Sequence, residues 1–557
     1  MYSDPATAPH TLPTVDDLAL AAAAATRYLA QVRQRMQLRA ADRGDGESPD
    51  ADQLRVHGLA WLAAYERALQ ASVDWAQGLR AENHLGRIET LLLSIGFAEY
   101  LMQIGGGIAM SQDEVIRPAH YGTEAEARAL LDDDAVRRVT ELALAQDLRG
   151  ELIAHLRQRG LGDELGHDGL DDTLHMVRDT FRRYADQHVM PQAQQWHRDN
   201  ALVPQSVIDE LAGMGAFGVT VPEAYGGLGL GAVAMCVMTE ELSRGYIGVG
   251  SLGTRSEIAC ELIRIGGTEA QKQHYLPEIA AGRILPVAVF TEPGNGSDLA
   301  RLQTRARRDG DQYRVTGNKT WITHAARADL MTLLVRTGSA DSGYRGLSML
   351  LAEKPRGTET DLFPAEGMRG GEIEVLGYRG MREYEIGFDD FPVPTAQLLG
   401  EEEGQGFKQL MTTFELARIQ TAARSLGVAR NAFELGFGYA SDRRQFGRSL
   451  LDFPRVYGKL AGMLAELAML RQLTYTAARV KESGSRCDVE AGMAKLLAAR
   501  LAWSAADNAL QIHGGNGYAL EYPISRVLCD ARILNIFEGA AEIQAQVIAR
   551  SLLQPDA

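Results

Sequence analysis

The pattern of apolar and polar positions divides the chain into a helical part, a β part and a second helical part. In the first part apolar residues recur three and four positions apart, as at Leu59, Leu62 and Ala63, which is the period of an amphipathic helix. From Leu285 to Leu399 short apolar runs such as DLMTLLVR and LSMLL replace this pattern, and such runs are typical of strands. Long helical patterns return after about Gly406. We therefore predict a mainly α protein with a central β domain.

The last part of the chain carries the clearest helical stripes. One face is formed by Leu460, Met463, Leu464, Leu467 and Leu470, and another by Met493, Leu496, Leu497 and Leu501. Each apolar stripe has to be buried against a neighbouring helix. Several such helices in succession predict a helical bundle.

Breaks in the pattern divide the 557-residue chain, which is too long for a single hydrophobic core. Gly and Asp concentrate in RGLGDELGHDGLDD, from Arg159 to Asp172, as is typical of a linker. We predict a helical N-terminal extension at 1–165, a helical domain at 166–284, a β middle domain at 285–400 and a C-terminal helical bundle at 401–557.

Two glycine-containing segments need a local interpretation. The loop VPEAYGGLGLG lacks the GxGxxG spacing of a dinucleotide loop, so a plain turn is the better interpretation. In QYRVTGNKTWIT, two extended runs stand around Gly317-Asn318, which is typical of a β domain.

Charge and cysteine usage exclude several classes of partner. The chain has 57 Lys and Arg against 73 Asp and Glu, a net charge of -16, which disfavours nucleic acid and anionic membranes. Its four cysteines form no CxxC pair, so a reducing compartment is expected and metal ligation has no support. There is neither a membrane-spanning apolar stretch nor a convincing signal peptide, so we expect a cytoplasmic protein.

The β part opens with a candidate binding loop, PVAVFTEPGNGSD. Gly294 and Gly296 flank Asn295 there, so the backbone can turn tightly and offer N–H groups to an acceptor. An exposed hairpin loop is an equally good interpretation of these residues alone. Farther on, WIT places Trp321 at the end of an extended run, where a large aromatic side chain is more often part of a core.

Five motifs in this order resemble the acyl-CoA dehydrogenase family. They are TEPGNGSD, WIT, YASDRRQFG, QIHGGNGY and IFEGAAEIQ, and the resemblance covers roughly residues 170 to 555. It implies the family fold, with a helical domain, a β-barrel-like middle domain and a C-terminal four-helix bundle. It also implies FAD as cofactor, an acyl-CoA substrate, electron-transferring flavoprotein as electron acceptor, and a homo-oligomer, either a dimer or a tetramer.

The resemblance assigns residues to both sides of the cofactor. It implies that Thr291, Ser297, Trp321 and Thr323 line the flavin ring, and that Arg443, Phe446, Gln511, Gly514 and Gly515 contact the FAD of a neighbouring subunit. A basic side chain and a Gly-rich helix end would suit the pyrophosphate, although GGNG also fits a helix C-cap. His324, where Asn is frequent, and Ala540, where Thr is usual, depart from the family pattern.

Glu538 is the candidate catalytic base. It stands between the apolar Ile536-Phe537 pair and Gly539, and the residues alone favour a helix N-terminal carboxylate that interacts with the helix dipole. The resemblance instead matches Glu538 to the family's catalytic glutamate, which removes a proton next to the thioester carbonyl. Other members carry the base at the position of Ala417, and alanine cannot accept a proton.

Further residues match substrate contacts of the family. Glu415 and Arg418 match residues near the substrate and CoA, although an i,i+3 salt bridge explains them equally well. Ser297 and Gly539 are also candidate substrate contacts. The implied reaction is an α,β-dehydrogenation, with hydride leaving the β carbon for the flavin.

The acyl group is indicated by three segments outside the shared motifs. GFAEYLMQIGGGIAMSQDEVIRP in the extension, GSLGTRSEIA, and EIEVLGYRGMREYEIGFDDFPVP resemble members that oxidise a short branched dicarboxylic acyl-CoA. A buried substrate carboxylate needs a cation or several hydrogen-bond donors, and Arg255 is the first candidate. The alternative is that Arg255 is an exposed helix residue paired with Glu257 or Glu261.

Rival functions remain. Another short or branched acyl-CoA is the nearest alternative substrate. A non-catalytic or DNA-binding protein of the same fold is disfavoured by the negative charge, and an oxidase would differ by reducing oxygen directly.

Overall fold

The computed structural model describes residues 11–41, 52–161 and 166–554, and it confirms the predicted order of a helical, a β and a helical part. The predicted division between 165 and 166 borders residues 162–165, which lie outside the described residues. None of the helices in the described ranges is long and apolar enough to cross a membrane.

The N-terminal extension is helical apart from one short hairpin. Its elements are α1 (Val15–Ala41), α2 (Gln53–Ala81), α3 (Arg87–Gly106), β1 (Ile108–Ala109), β2 (Val115–Ile116), α4 (Pro118–Tyr121), α5 (Glu124–Leu131), α6 (Asp134–Ala145) and α7 (Leu148–Arg159). The side chain of Asp133 caps α6 and that of Asp147 caps α7, each by accepting a backbone N–H of the first turn.

The second helical part contributes two almost completely buried helices. Its elements are α8 (Asp172–Tyr184), α9 (Met190–Arg198), α10 (Gln205–Gly213), α11 (Gly231–Gly245), α12 (Ile247–Gly250), α13 (Leu252–Gly266) and α14 (Glu269–Ala280). A π-helical turn at Ala185–Val189 joins α8 to α9. In α11 and α13 charged residues are buried together with the apolar ones, so these side chains must be paired inside the protein.

The β part is a seven-stranded sheet. Its strands are β3 (Pro286–Val289), β4 (Arg305–Asp309), β5 (Gln312–Lys319), β6 (Leu330–Arg336), β7 (Leu347–Glu353), β8 (Met368–Ile373) and β9 (Glu383–Pro394). They pair in the order β3-β6-β4-β5-β9-β8, and β7 pairs with β6. The apolar runs DLMTLLVR and LSMLL form the antiparallel pair β6 and β7, as predicted.

Gly317 and Asn318 lie inside a strand. Strand β5 runs through both residues with a bulge between Val315 and Gly317, and the hairpin turn lies earlier, between β4 and β5. Gly317 has φ +152 and packs against Thr304, where a Cβ would lie 2.6 Å from the Thr304 backbone. The glycine therefore permits a close approach inside the sheet, which local sequence does not distinguish from a turn.

The C-terminal part is the predicted bundle. It comprises α15 (Gly406–Asp442), β10 (Arg444–Gln445), β11 (Arg448–Ser449), α16 (Pro454–Glu482), α17 (Asp488–His513), α18 (Pro523–Ile533) and α19 (Ala541–Leu553). Helix α15 packs along α17 and also against α11 and α13. This position places one helix of the bundle beside the buried charges of the second helical part.

The extension shares its hydrophobic core with the bundle. Helices α2, α3 and α7 pack on α16, and α2 also packs on α19. The polar contacts across this boundary include a hydrogen bond of 2.9 Å from Tyr100 to Glu466 and the Arg500 guanidinium 5.0 Å from the Tyr65 ring centre. The apolar residues of both parts form one continuous cluster, so the extension covers an outer face of the bundle.

Candidate active site

Glu538 lies in the turn between α18 and α19, and its side chain points into the protein. The residue has φ +52, and the following Gly539 has φ +92. Gly539 is held through its carbonyl oxygen, which accepts a hydrogen bond of 2.6 Å from Nζ of Lys495 on α17. The side chain of Glu538 is 11% exposed. The helix-dipole interpretation is wrong, because this carboxylate bonds to side chains of other helices rather than to the N-terminus of α19.

Two arginines bind the two oxygens of Glu538. Nη2 of Arg255, on α13, lies 2.9 Å from Oε1, and Nη2 of Arg424, on α15, lies 2.6 Å from Oε2. Thr421, one turn before Arg424, also donates its hydroxyl to Oε2. We call Glu538, Arg255, Arg424 and Thr421 the glutamate clamp. It connects three segments that are far apart in the sequence.

The clamp keeps Glu538 ionised. Burial opposes the charged form, but the Arg424 and Arg255 guanidiniums and the Thr421 hydroxyl outweigh it, so the pKa of Glu538 lies below its ordinary value. For the neighbouring Lys495 the effect of burial is the stronger one: burial lowers its pKa to about 7, although the charge of Glu538 acts to raise it. The carboxylate is therefore a weak base as long as both arginines contact it.

The structure decides between the two interpretations of Arg255. Its side chain is only 9% exposed and its salt bridge is to Glu538. Glu257 instead accepts a hydrogen bond from Thr220, and Glu261 pairs with Arg264. The alternative of an exposed arginine paired with Glu257 or Glu261 is wrong.

The residues assigned to the flavin ring lie in the β domain and differ in their exposure. Trp321 is 57% exposed and has φ +58, whereas Thr323 is buried, Thr291 is half-buried and Ser297 is exposed. The space beside Gly294 and Gly296 is open. A large flat side chain exposed beside open loop backbone fits the contact surface of an isoalloxazine ring.

A buried carboxyl connects this surface to the glutamate clamp. Glu383, at the start of β9, accepts the Thr323 hydroxyl at 2.8 Å. Burial raises the pKa of Glu383 to about 7, and the Thr323 hydrogen bond and the Arg255 charge act in the opposite direction. His324 is also buried, and burial followed by the charges of Arg327 and Arg255 lowers its pKa to about 3, so the imidazole is neutral.

Replacing Glu383 by Gln is expected to stabilise the protein more at pH 8 than at pH 5. The pKa of Glu383 is raised in the folded protein, so the native state loses stability as pH rises from the ordinary value of 4.5 to about 7. The full difference corresponds to about 3 kcal/mol. Thermal unfolding at both pH values measures it. The exposed Glu385 on the same strand provides the control Glu385→Gln, and equal pH dependence of all three proteins would contradict the prediction.

The residues assigned to a neighbouring subunit's FAD lie on the surface of the bundle. Arg443, Phe446, Gln511, Gly514 and Gly515 are exposed. Phe446 is 93% exposed and has φ +51. Tyr518 and Leu520, which follow GGNG in the sequence, are also exposed. Exposed large apolar side chains of this kind are typical of an interaction surface.

The GGNG segment forms the C-cap of α17 and the start of a short 3-10 helix. Gly514, with φ +59, follows the C-terminal end of α17 and caps it. That end of a helix carries partial negative charge and does not attract phosphate. The C-cap interpretation therefore describes the backbone, and only the exposed Arg443 supplies positive charge among the residues assigned to this contact.

Glu415 and Arg418 do not pair with each other. Glu415 is buried on α15 and accepts a hydrogen bond of 3.0 Å from Lys481 of α16. Lys481 also lies 3.3 Å from Glu261 and lines a cleft of about 300 Å³ together with Thr220 and Arg264. Burial lowers the pKa of Arg418, with Asp488 and Glu415 acting in the opposite direction. The i,i+3 salt bridge is therefore not what holds Glu415.

The structure thus combines a buried, arginine-bound carboxylate with an exposed aromatic side chain on the β domain. Family models match residues 171–283 as the acyl-CoA dehydrogenase N-terminal domain, 288–391 as the middle domain and 404–553 as the C-terminal domain. The chain belongs to the acyl-CoA dehydrogenase family.

Individual relatives cover different shares of the chain. A (2S)-methylsuccinyl-CoA dehydrogenase of Cereibacter sphaeroides is 60% identical over 504 residues, covering 90% of this chain and 91% of its own. A glutaryl-CoA dehydrogenase of Mycobacterium smegmatis in complex with FADH2 matches with TM-score 0.63 and 27% identity, over 69% of this chain and 95% of its own. A structure described as electron transferring flavoprotein of Acidaminococcus fermentans matches with TM-score 0.66 and 32% identity, over 69% and 99%.

Sequence reasoning missed Arg424, Thr421 and Glu383. Arg424 and Thr421 stand seven and four positions after Ala417 on α15, so all three share one helix face. Because Ala417 matches the alternative position of the base in the family, that spacing was a usable signal. No comparable signal in the sequence marks Glu383.

Proposed function

We propose that this protein is an FAD-dependent dehydrogenase that oxidises (2S)-methylsuccinyl-CoA to mesaconyl-CoA. The observation that carries the proposal is the buried arginine Arg255, 2.9 Å from the candidate base Glu538. The relative from Cereibacter sphaeroides supports the same substrate, because its match includes most of the N-terminal extension as well as the shared domains.

The substrate explains why a second cation lies beside the base. Methylsuccinyl-CoA carries its free carboxylate on the β carbon, next to the α carbon that loses a proton. A base above the α carbon therefore lies close to that carboxylate, and the two like charges repel each other unless a cation stands between them. Arg255, which contacts Glu538, is the cation proposed for this role. A simple fatty acyl-CoA brings no carboxylate that could pair with Arg255.

Glu538 is the proposed general base. It removes the proton from the α carbon, and backbone N–H groups, including that of Gly539, stabilise the negative charge that develops on the thioester oxygen. Bound FAD supplies the acceptor for the hydride that leaves the β carbon. Arg424 and Thr421 hold the carboxylate at a fixed position throughout.

The cofactor would be held from two subunits. Thr291, Ser297, Trp321 and Thr323 would contact the ring, with Trp321 as its exposed aromatic wall. The exposed surface with Arg443, Phe446, Gln511, Gly514 and Gly515 would contact the FAD of a neighbouring subunit in a homo-oligomer. Glu415 and Arg418, beside the cleft lined by Lys481, are proposed to contact the CoA portion.

Electron-transferring flavoprotein is the proposed electron acceptor. The structure described under that name for Acidaminococcus fermentans has the same fold over 69% of this chain, which supports a shared electron-transfer partner within the family. Consumption of oxygen without any added acceptor would instead identify an oxidase.

A panel of CoA esters tests the proposed substrate. Turnover with a dye acceptor should be at least about 100-fold more efficient in kcat/KM for methylsuccinyl-CoA than for butyryl-CoA, because only methylsuccinyl-CoA carries a carboxylate that can pair with Arg255. Anaerobic bleaching of the yellow flavin by the same esters provides the independent readout. A higher kcat/KM for another ester, such as glutaryl-CoA or isobutyryl-CoA, would contradict the proposed substrate while leaving the reaction class intact.

A further inference from the structure

Glu538 is chemically restrained in this structure. Arg255 contacts Oε1, and Arg424 and Thr421 contact Oε2, so neither oxygen is free of a donor. A general base works best when its pKa lies near the operating pH. A carboxylate that is held by two guanidiniums is far from that condition, so proton abstraction requires one of these contacts to weaken.

The two arginines differ in how firmly they are held. Arg424 is completely buried, donates to Thr421 at 2.7 Å and to Ser251 at 3.3 Å, and lies 4.8 Å from the ring centre of Phe537. Arg255 makes one hydrogen bond among the described residues, from Nη2 to Glu538, whereas Arg424 has two partners besides Glu538. Arg255 is therefore the arginine that can change partner.

We propose that the free carboxylate of the substrate replaces Glu538 as the partner of Arg255, so that only a dicarboxylic acyl-CoA releases the base. This inference rests on the proposed function. The carboxylate of methylsuccinyl-CoA is attached to the carbon next to the one that Glu538 deprotonates, so it arrives where Arg255 and Glu538 now touch. The exchange removes a cation from Glu538 and places an anion beside it.

Both changes act in the same direction. Loss of a positive neighbour and gain of a negative one each favour the protonated carboxyl, so the base becomes stronger when the correct substrate binds. Arg424 and Thr421 stay in place and keep Glu538 oriented. Butyryl-CoA has the same reacting C–H bonds and no carboxylate, so it would bind without releasing Arg255. Specificity would then act on the rate of proton abstraction more than on binding.

Other charged groups lie near the glutamate clamp, and in any pH experiment their protonation has to be distinguished from that of Glu538. Lys495 of α17 donates a hydrogen bond to the Gly539 carbonyl oxygen, and burial lowers its pKa to about 7. The charges of Arg418 and Glu542 also act on Lys495. On the other side, Tyr378 and Glu383 act on Arg255. The variant Glu538→Gln leaves all of these groups unchanged and so isolates the contribution of the base.

Proton uptake on ligand binding tests the exchange without turnover. Mesaconyl-CoA carries the same carboxylate as the substrate, and crotonyl-CoA lacks it. Calorimetry of the oxidised holoenzyme at pH 6.5, in buffers of different ionisation enthalpy, should show at least about 0.3 more protons taken up per site with mesaconyl-CoA. Glu538→Gln should abolish that excess. Equal uptake with both ligands, or an excess that persists in Glu538→Gln, would overturn the exchange.

The variant Arg255→Gln provides the second test. Its flavin should be bleached by saturating butyryl-CoA at least about 10-fold faster than in the wild type, because one cation has left the base, while kcat/KM for methylsuccinyl-CoA falls at least about 100-fold. Arg283→Gln, which removes the surface pair with Glu278, is the matched control and should change neither rate. Flavin content and thermal unfolding check that each variant is folded.

The outcomes distinguish the exchange from the proposed function. If Arg255→Gln loses methylsuccinyl-CoA oxidation without any gain for butyryl-CoA, Arg255 binds the carboxylate but does not restrain the base, and the exchange is refuted while the function stands. If the wild type does not bleach with methylsuccinyl-CoA at all, the proposed function itself fails, and the exchange fails with it.

Discussion

Replacing Glu538 by Gln is expected to slow the bleaching of the flavin by methylsuccinyl-CoA at least about 1,000-fold, because the amide cannot accept the α proton. The side chain keeps its size and can still contact Arg255 and Arg424, which are now bound to its two oxygens. Anaerobic stopped-flow absorbance at saturating substrate measures the rate directly. The protein should remain yellow, since Glu538 is not among the proposed flavin contacts.

Loss of charge at this position also affects stability, so a second variant is needed. Gln leaves two buried guanidiniums without an anion, a change that costs about 3–5 kcal/mol at comparable sites. Glu538→Asp keeps the charge and shortens the reach, so it should fold like the wild type and still bleach slowly. Glu542→Gln, on the exposed side of α19, is the matched control and should bleach normally. Rapid bleaching by Glu538→Gln would rule out Glu538 as the base.

The coarse fold could be predicted from the sequence because its causes are local. The apolar runs of β6 and β7 are typical of buried strands, and the apolar stripe around Leu464 has the period of a helix with one buried face. Gly317 shows the limit of such reasoning. Its role depends on Thr304, which belongs to another part of the sheet. The pair Gly317-Asn318, a combination that often forms a turn, therefore lies within a continuous strand.

The site was predictable only in part, because its partners are distant in the sequence. Glu538 was found through its resemblance to a family motif, and Arg255 through the chemistry of the expected substrate. Their contact joins residues 283 positions apart, and Arg424 lies 114 positions from Glu538. Which arginine reaches a given carboxylate is set by the packing of α13, α15 and the turn before α19. The weak basicity of Glu538 follows from that packing and could not be predicted from the motif.

A second buried carboxylate with several arginines lies away from the active site. Glu241 of α11 is completely buried and accepts hydrogen bonds from Arg182 at 3.0 Å, Arg244 at 3.1 Å and Arg430 at 3.2 Å. These arginines belong to α8, α11 and α15, so one anion connects two helices of the second part with the longest helix of the bundle. Removing its charge would leave at least three buried guanidiniums facing one another.

The variant Glu241→Gln is therefore expected to lower the free energy of unfolding by about 3–5 kcal/mol, as when one partner of a buried ion pair is removed. Burial opposes the charged form, but Arg430, Arg182 and Arg244 hold the pKa of Glu241 far below its ordinary value. The stabilisation is then fully present above about pH 4.5 and is lost only as pH falls toward the lowered pKa. The wild type should lose stability between pH 5 and pH 3 more steeply than Glu241→Gln.

Urea unfolding at several pH values measures both effects. The control is Glu434→Gln, because the Glu434 carboxylate pairs with Arg244 and Arg430 from a partly exposed position. The control should cost about 1 kcal/mol or less, and a similar small loss in Glu241→Gln would show that the arginines find other partners.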